Sequence, residues 1–184
     1  MSEVLYLDVC CFKRSFDDAA AERVRREAEA VAVILDAARA GAFELVRSPA
    51  HDFENERNPR EDRRLATRLW LDAATVSVTA TPGAASRTRE LATLGFDPLD
   101  ALHLAFAEQS AARWFVTTDD RLLKRAVTQR ERLHVEVVRP DQVPLETRGD
   151  DVCTRHPRCR CIRFGWRGGT RSPSDLDRRE RCDS

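Results

Sequence analysis

No apolar run in the 184-residue chain approaches the roughly 18 residues that a membrane span requires. The first residues carry no basic flank followed by an apolar core, the mark of a secretory signal. A cytoplasmic location is therefore expected, with the six cysteines mostly reduced. Net charge is missing as well, because 31 Lys and Arg balance 31 Asp and Glu. Lysine is nearly absent, with only Lys13 and Lys124, an arginine bias to which no function attaches. The chain has no glycine-rich loop of the phosphate-cradling or dinucleotide kind. It also has no serine or cysteine set beside a partner base as a covalent catalyst would be. No segment repeats.

What remains is enough chain for one domain with a sizeable core. Short apolar runs alternate with helical periodicity. Val4-Leu5-Tyr6-Leu7 reads as a buried strand ending abruptly at Asp8. Asp17-Asp18 opens a helix over 19–40, with Val24, Ala28, Val31, Leu35 and Ala38 on one stripe and Gly41 as stop. Residues 43–46 form a second strand. Ser48-Pro49 is an N-cap and first helical position for a short helix that must end by Asn58-Pro59, with Phe53 as its large anchor. Asn58-Pro59-x-Glu61 reads as a capping box for a helix to about Ala73, with Leu65, Leu69 and Trp70 inward. A β-branched strand over 75–79 follows, then a helix over 81–93 closed by Gly95. The rest is a helix from Pro98 to about Ala112, a strand over 114–117, a helix over 121–128 and a strand over 133–138. Strands separated by helices predict an α/β fold with a parallel sheet covered by helices.

Acidic residues sit at equivalent places in this pattern. Asp8 ends a strand, Glu54 lies on the short helix after the second strand, and Asp119 ends a strand and starts a helix. In Asp97-Pro98-Leu99-Asp100, Asp97 is the N-cap and Asp100 falls in the first turn, where an anion is favoured. Asp100 alone could be no more than a capping accessory. In a parallel sheet, however, the carboxyl ends of the strands share one edge, so these groups can converge. Clustered carboxylates repel, and a hard divalent cation with oxygen preference is the natural compensation. Such an ion can activate water and stabilise phosphoryl displacement.

Four segments then resemble the acidic motifs of PIN domains, nearest to VapC-type toxins of bacterial toxin–antitoxin pairs. They are Val4-Leu5-Tyr6-Leu7-Asp8, residues 48–54, Pro98-Leu99-Asp100-Ala101-Leu102-His103-Leu104-Ala105, and Phe115-Val116-Thr117-Thr118-Asp119-Asp120-Arg121-Leu122-Leu123. Order and spacing match as well as residue type, over roughly residues 3–140. The resemblance implies a PIN-like three-layer fold with about five mainly parallel strands. It implies a metal-dependent endoribonuclease, acting as a toxin restrained by an antitoxin protein and forming a homodimer. Mg²⁺ is the implied cofactor, with Mn²⁺ as an alternative. Asp8, Glu54, Asp100 and Asp119 take the catalytic and metal positions, with Thr117 orienting a carboxylate or water and Asp120 as an accessory. Glu56 competes with Glu54, since helical spacing does not choose between them.

Several residues have two readings. His103 is a helix-face histidine packed on the core or a ligand, and the core reading is the stronger. Lys13 and Arg14 meet a phosphate backbone or simply solvent. Family members often carry a small hydroxyl or amide residue after the first Asp, whereas Val9-Cys10-Cys11 stands here, which weakens the expected support of Asp8. Both cysteines are expected to be small buried fillers. A dehalogenase-like phosphatase would need a second Asp where Cys10 lies. A non-catalytic PIN-fold module that binds RNA or a partner is the runner-up.

Residues 1–144 form the expected nuclease domain. Residues 145–184 hold ten Arg and no Lys against seven acids, and are expected to be a solvated, disordered tail. Cys153-x-x-His156-x-x-Cys159-x-Cys161 fits no good zinc template.

Overall fold

Five parallel strands run in the order β3-β2-β1-β4-β5. They are β1 (Glu3–Leu7), β2 (Phe43–Arg47), β3 (Val76–Ser77), β4 (Trp114–Val116) and β5 (Glu136–Val138) in a computed structural model that describes residues 2–17 and 20–144. Seven helices connect them: α1 (Val9–Lys13), α2 (Glu22–Arg39), α3 (Pro49–Glu56), α4 (Glu61–Asp72), α5 (Pro82–Thr93), α6 (Pro98–Gln109) and α7 (Asp120–Thr128). The expected α/β architecture, with about five mainly parallel strands, is present, and the five strands among the described residues are all parallel. No helix among the described residues is long and apolar enough to cross a membrane. The expectations for Asp18, Ala19 and residues 145–184, including the zinc and tail readings, lie outside the described residues.

Strand periodicity builds the two faces. Tyr6, Val46 and Phe115 point to one side, onto Ala50 of α3, Leu91 of α5, Leu104 of α6 and Leu122 of α7. Leu5, Leu7, Leu45, Trp114 and Val116 point to the other, onto Phe12 of α1, Val31 and Ile34 of α2 and Leu71 of α4. This alternation follows from the two-residue repeat of a strand. It yields three layers, helix on sheet on helix, each face with its own apolar cluster.

Chain order reverses between β1 and β4. The chain moves outward from β1 through β2 to β3, then returns to place β4 on the other side of β1. Ligand sites of open α/β sheets lie at such switch points, outside the carboxyl ends of the strands. Register fixes the edge: Leu7 pairs with Val116, the Asp8 N–H donates to the Val116 carbonyl at 2.9 Å, and that of Thr117 donates to Val138 at 3.0 Å.

Four local expectations need correction. Leu65 and Leu69 are not the inner face of α4, being 58% and 73% exposed. The buried positions are Thr67 and Leu71, with Trp70 packed at their side. Apolar residues occupy both sides of this helix, so spacing alone did not choose. Phe53 is not an anchor either. It is 44% exposed with the Arg57 guanidinium 3.7 Å over its ring, while Ala50, His51 and Asn55 hold α3 down. The Asn58 capping box is replaced by Arg60 as N-cap, and Asn58 Oδ1 accepts from the Arg60 N–H at 3.1 Å. The short helix α1, directly after Asp8, has no counterpart in the sequence reading, and α2 starts only at Glu22.

Candidate active site

Asp8 leaves β1 as the N-cap of α1, and its side chain makes no capping bond. Its carboxylate therefore stays available at the sheet edge. Oδ2 accepts from Thr117 Oγ1 at 2.7 Å and from Cys10 Sγ at 3.1 Å. Thr117, at the end of β4, also accepts from the Asp119 N–H at 3.1 Å, so one hydroxyl joins two acidic positions. The expected weakness around Asp8 is partly made good by sulfur. Cys10 Sγ accepts from the Thr118 N–H at 3.3 Å and is thereby pinned against the carboxylate. Cys11 does fill the core, but Cys10 is half-buried and sits in the site.

Glu54 reaches the same place from α3. An Asp8 oxygen, a Glu54 oxygen and a His103 ring nitrogen all lie within 4.8 Å of one another. Glu56, the competing glutamate, is exposed. Burial would raise the Glu54 carboxyl, but hydrogen bonds from His103 (3.2 Å) and Lys13 (2.7 Å) outweigh it and hold it down to about 2. Lys13 is thus engaged by Glu54. Arg14 pairs with Asp17 and the buried Glu27.

Asp100 behaves oppositely. Burial, then the charges of Asp8, Asp119 and Asp97, push it up from 3.8 to about 6. It has no ion-pair partner among the described residues. Asp97 caps α6 as expected, accepting from the Leu99 N–H at 3.1 Å, and so sets the first turn in which Asp100 stands. Asp119 caps α7, its Oδ1 accepting from the N–H groups of Arg121 (2.7 Å) and Leu122 (3.3 Å), while its Oδ2 stands 3.9 Å from the Arg121 guanidinium. Asp120 is held differently, by Arg23 at 2.7 Å and by Arg139, both of which also bind Glu27. A cleft of ≈ 340 Å³ opens beside Asp100, lined by Gly95, Phe96, Asp97, Arg121, Leu122 and Arg125.

Behind the carboxylates lies a buried polar group that sequence reasoning missed. Tyr6 Oη is 2.6 Å from Ser48 Oγ and 2.8 Å from His103 Nδ1. His51 Nε2 is 3.0 Å from the Leu7 carbonyl, and burial, with the nearby His103, lowers its basicity to about 3. The signals were available: Ser48-x-x-His51 has capping-box spacing, and His103 lies one helical turn after Asp100.

The donor atoms of Asp8, Glu54 and His103, two carboxylate oxygens and one ring nitrogen, could hold a divalent cation. Asp100 and Asp119 lie outside that group, although burial and then the charges of Asp8, Asp119 and Asp97 push Asp100 above its ordinary range. An acidic centre at the switch point of a parallel sheet defines the class. The PIN domain model matches residues 5–127, and the chain belongs to the PIN domain family. PIN domains are in general nucleases and typically bind a divalent metal. No curated protein matches the chain. Among solved structures it is similar to a chain of VapBC2 from Rickettsia felis, crystallised bound to a DNA fragment from their promoter. Identity is 10%, coverage 74% of this chain and 98% of that one, and the TM-score 0.43.

Proposed function

We propose that the protein is a divalent-metal-dependent endoribonuclease, with Asp8, Glu54, Asp100 and Asp119 as its metal-holding and catalytic set. The observation that carries this reading is the state of Asp100. A carboxyl group raised to about 6 by burial, and further by three neighbouring acids, is a site short of positive charge. Mg²⁺ fits that need, and Mn²⁺ fits it as well. When bound, the ion supplies charge neutralisation, polarisation of a phosphoryl oxygen and a more acidic water.

The chain's own residues do the rest. Thr117 and Cys10 hold the Asp8 carboxylate in one orientation. Lys13 and His103 keep Glu54 ionised and immobile. Arg121 and Arg125, across the cleft from Asp100, offer guanidinium groups to phosphates of a bound strand, where positive charge supplies affinity without sequence choice. Asp120 serves as a structural tie through Arg23 and Arg139. The role of toxin, the antitoxin partner, the homodimer and the cytoplasmic location rest on the resemblance of the motifs to VapC-type proteins. The test is cleavage of single-stranded RNA by purified protein with Mg²⁺ or Mn²⁺. Asp8→Asn and Asp100→Asn should both fall to background, and either variant cutting at the wild-type rate refutes the site. Co-expression with the product of an adjacent small gene, followed by size-exclusion chromatography, tests the antitoxin and the dimer.

A further inference from the structure

The polar residues behind the site form a chain of hydrogen bonds whose directions can be derived. A backbone N–H only donates, so the 3.1 Å contact from Ser48 N makes His51 Nδ1 an acceptor. A carbonyl only accepts, so His51 Nε2–H donates to Leu7. The two statements agree on one neutral tautomer. At the other end, an ionised Glu54 only accepts, so the His103 Nε2–H donates to its Oε2. His103 Nδ1 is then the acceptor of the Tyr6 hydroxyl, and Tyr6 oxygen the acceptor of the Ser48 hydroxyl. The Ser48 oxygen receives the His51 backbone N–H, at 3.4 Å. Every donor has an acceptor, and Tyr6, Ser48, His51 and His103 are all 2% exposed or less. Such closed networks are stiff, because an unpaired buried polar group is costly.

We infer that His103 is the positioning residue for Glu54, and that Tyr6, backed by Ser48 and His51, fixes which ring nitrogen His103 presents to it. The brace runs from the Leu7 carbonyl, next to Asp8, through His51 and Ser48 at the start of α3 and Tyr6 on β1 to His103 on α6, and returns to α3 at Glu54. It therefore sets the spacing of Asp8 and Glu54, and it is anchored on the helix that carries Asp100. His103 has both ring nitrogens engaged and acts through Glu54, not as a ligand. This inference rests on the metal reading above.

The experiment measures Mn²⁺ affinity of the full chain by calorimetry, alongside ¹⁵N NMR of the histidine side chains without metal. His103→Leu should weaken Mn²⁺ about 10- to 100-fold, the usual cost of losing a group that orients a ligand. His103→Gln, whose amide can still donate to Glu54, should recover most of it. Tyr6→Phe, close in shape, should weaken binding several-fold and loosen the His103 tautomer from the Nε2–H form, and it stands as the test if His103→Leu does not fold. Unchanged affinity in His103→Leu or in Tyr6→Phe overturns the inference. So does a wild-type His103 signature with Nδ1–H, equal loss in the Leu and Gln variants, or ¹⁴N coupling from His103 in the Mn²⁺ electron spin-echo spectrum. A wild-type protein that binds Mn²⁺ but leaves RNA intact would defeat the nuclease reading alone, and the affinities would still decide the brace.

Discussion

Replacing Asp100 with Asn should stabilise the metal-free protein while abolishing its activity. The sign follows from the direction of the shift. In the folded chain the carboxyl is raised from 3.8 to about 6. Below pH 3.8 it is protonated whether the chain is folded or not, and it costs nothing. Between 3.8 and 6 the unfolded chain ionises first, so stability drains away as pH rises, and above about 7 the full penalty is present. The shift corresponds to an upper bound of roughly 3 kcal/mol. Asp100 is only partly buried, and screening reduces the expected figure to about 1–2 kcal/mol. Asn keeps the shape and removes the charge, and no ion pair among the described residues is lost. Urea unfolding in EDTA, followed by tryptophan fluorescence from pH 3.5 to 8, reads the difference. The variant should match wild type near pH 3.5 and pull ahead by about 1–2 kcal/mol at pH 7.5. Saturating Mg²⁺ should reverse the order, since wild type alone then gains from binding. A variant less stable than wild type at pH 7.5 in EDTA, or a gain that ignores pH, would refute the argument that burial and other negative charges oppose ionisation of Asp100.

Glu54 should show the opposite pH dependence. Its folded value of about 2 lies below the ordinary 4.5, so its stabilisation is present above pH 4.5 and is lost as pH falls towards 2. Glu54→Gln should therefore cost about 2–3 kcal/mol at pH 7 and converge with wild type in acid, by the same unfolding assay. Gly95→Ala should cost about 1–2 kcal/mol, because Gly95 has φ +89° and an added Cβ would also stand 3.1 Å from the Arg125 guanidinium. Leu69→Arg should leave urea stability within about 0.5 kcal/mol, whereas Leu71→Ala, one helical face away, should cost about 2–5 kcal/mol. Equal effects of those two would contradict the orientation of α4.

Much of the fold was legible because local chemistry and burial agreed. Thr81-Pro82, Asp97-Pro98 and Ser48-Pro49 start α5, α6 and α3 where capping rules put them. Gly95 and Gly41 take positive φ at the stops. The failures came where side chains of similar type lie on both sides of a helix. Leu65 and Leu69 compete with Leu71 for the interior of α4, and only the position of α4 over β2 and α1 decides. Helix α1 was illegible because Val9-Cys10-Cys11-Phe12 is too short to show a period and looks like a continuation of the strand. For the candidate site, places after strands and at helix starts pointed to four acids, and the structure brings two of them, Asp8 and Glu54, within 4.8 Å together with His103. The brace behind them was not legible, because Tyr6 and His103 are 97 residues apart and meet only when β1 packs against α6. Cys10 was undervalued because a thiol is a poor partner in general, and only its position against Asp8 and Thr118 makes it useful here.

The central claim is that these carboxylates hold a divalent ion that makes the chain cut RNA. The most direct measurement strips the purified protein with EDTA, confirms that single-stranded RNA stays intact, and then restores Mg²⁺ stepwise while following endonucleolytic products. Cleavage should return with the added ion in wild type and stay at background in Asp8→Asn and Asp100→Asn made and purified in parallel. Cleavage that persists in EDTA, or that returns equally in either variant, would contradict the account.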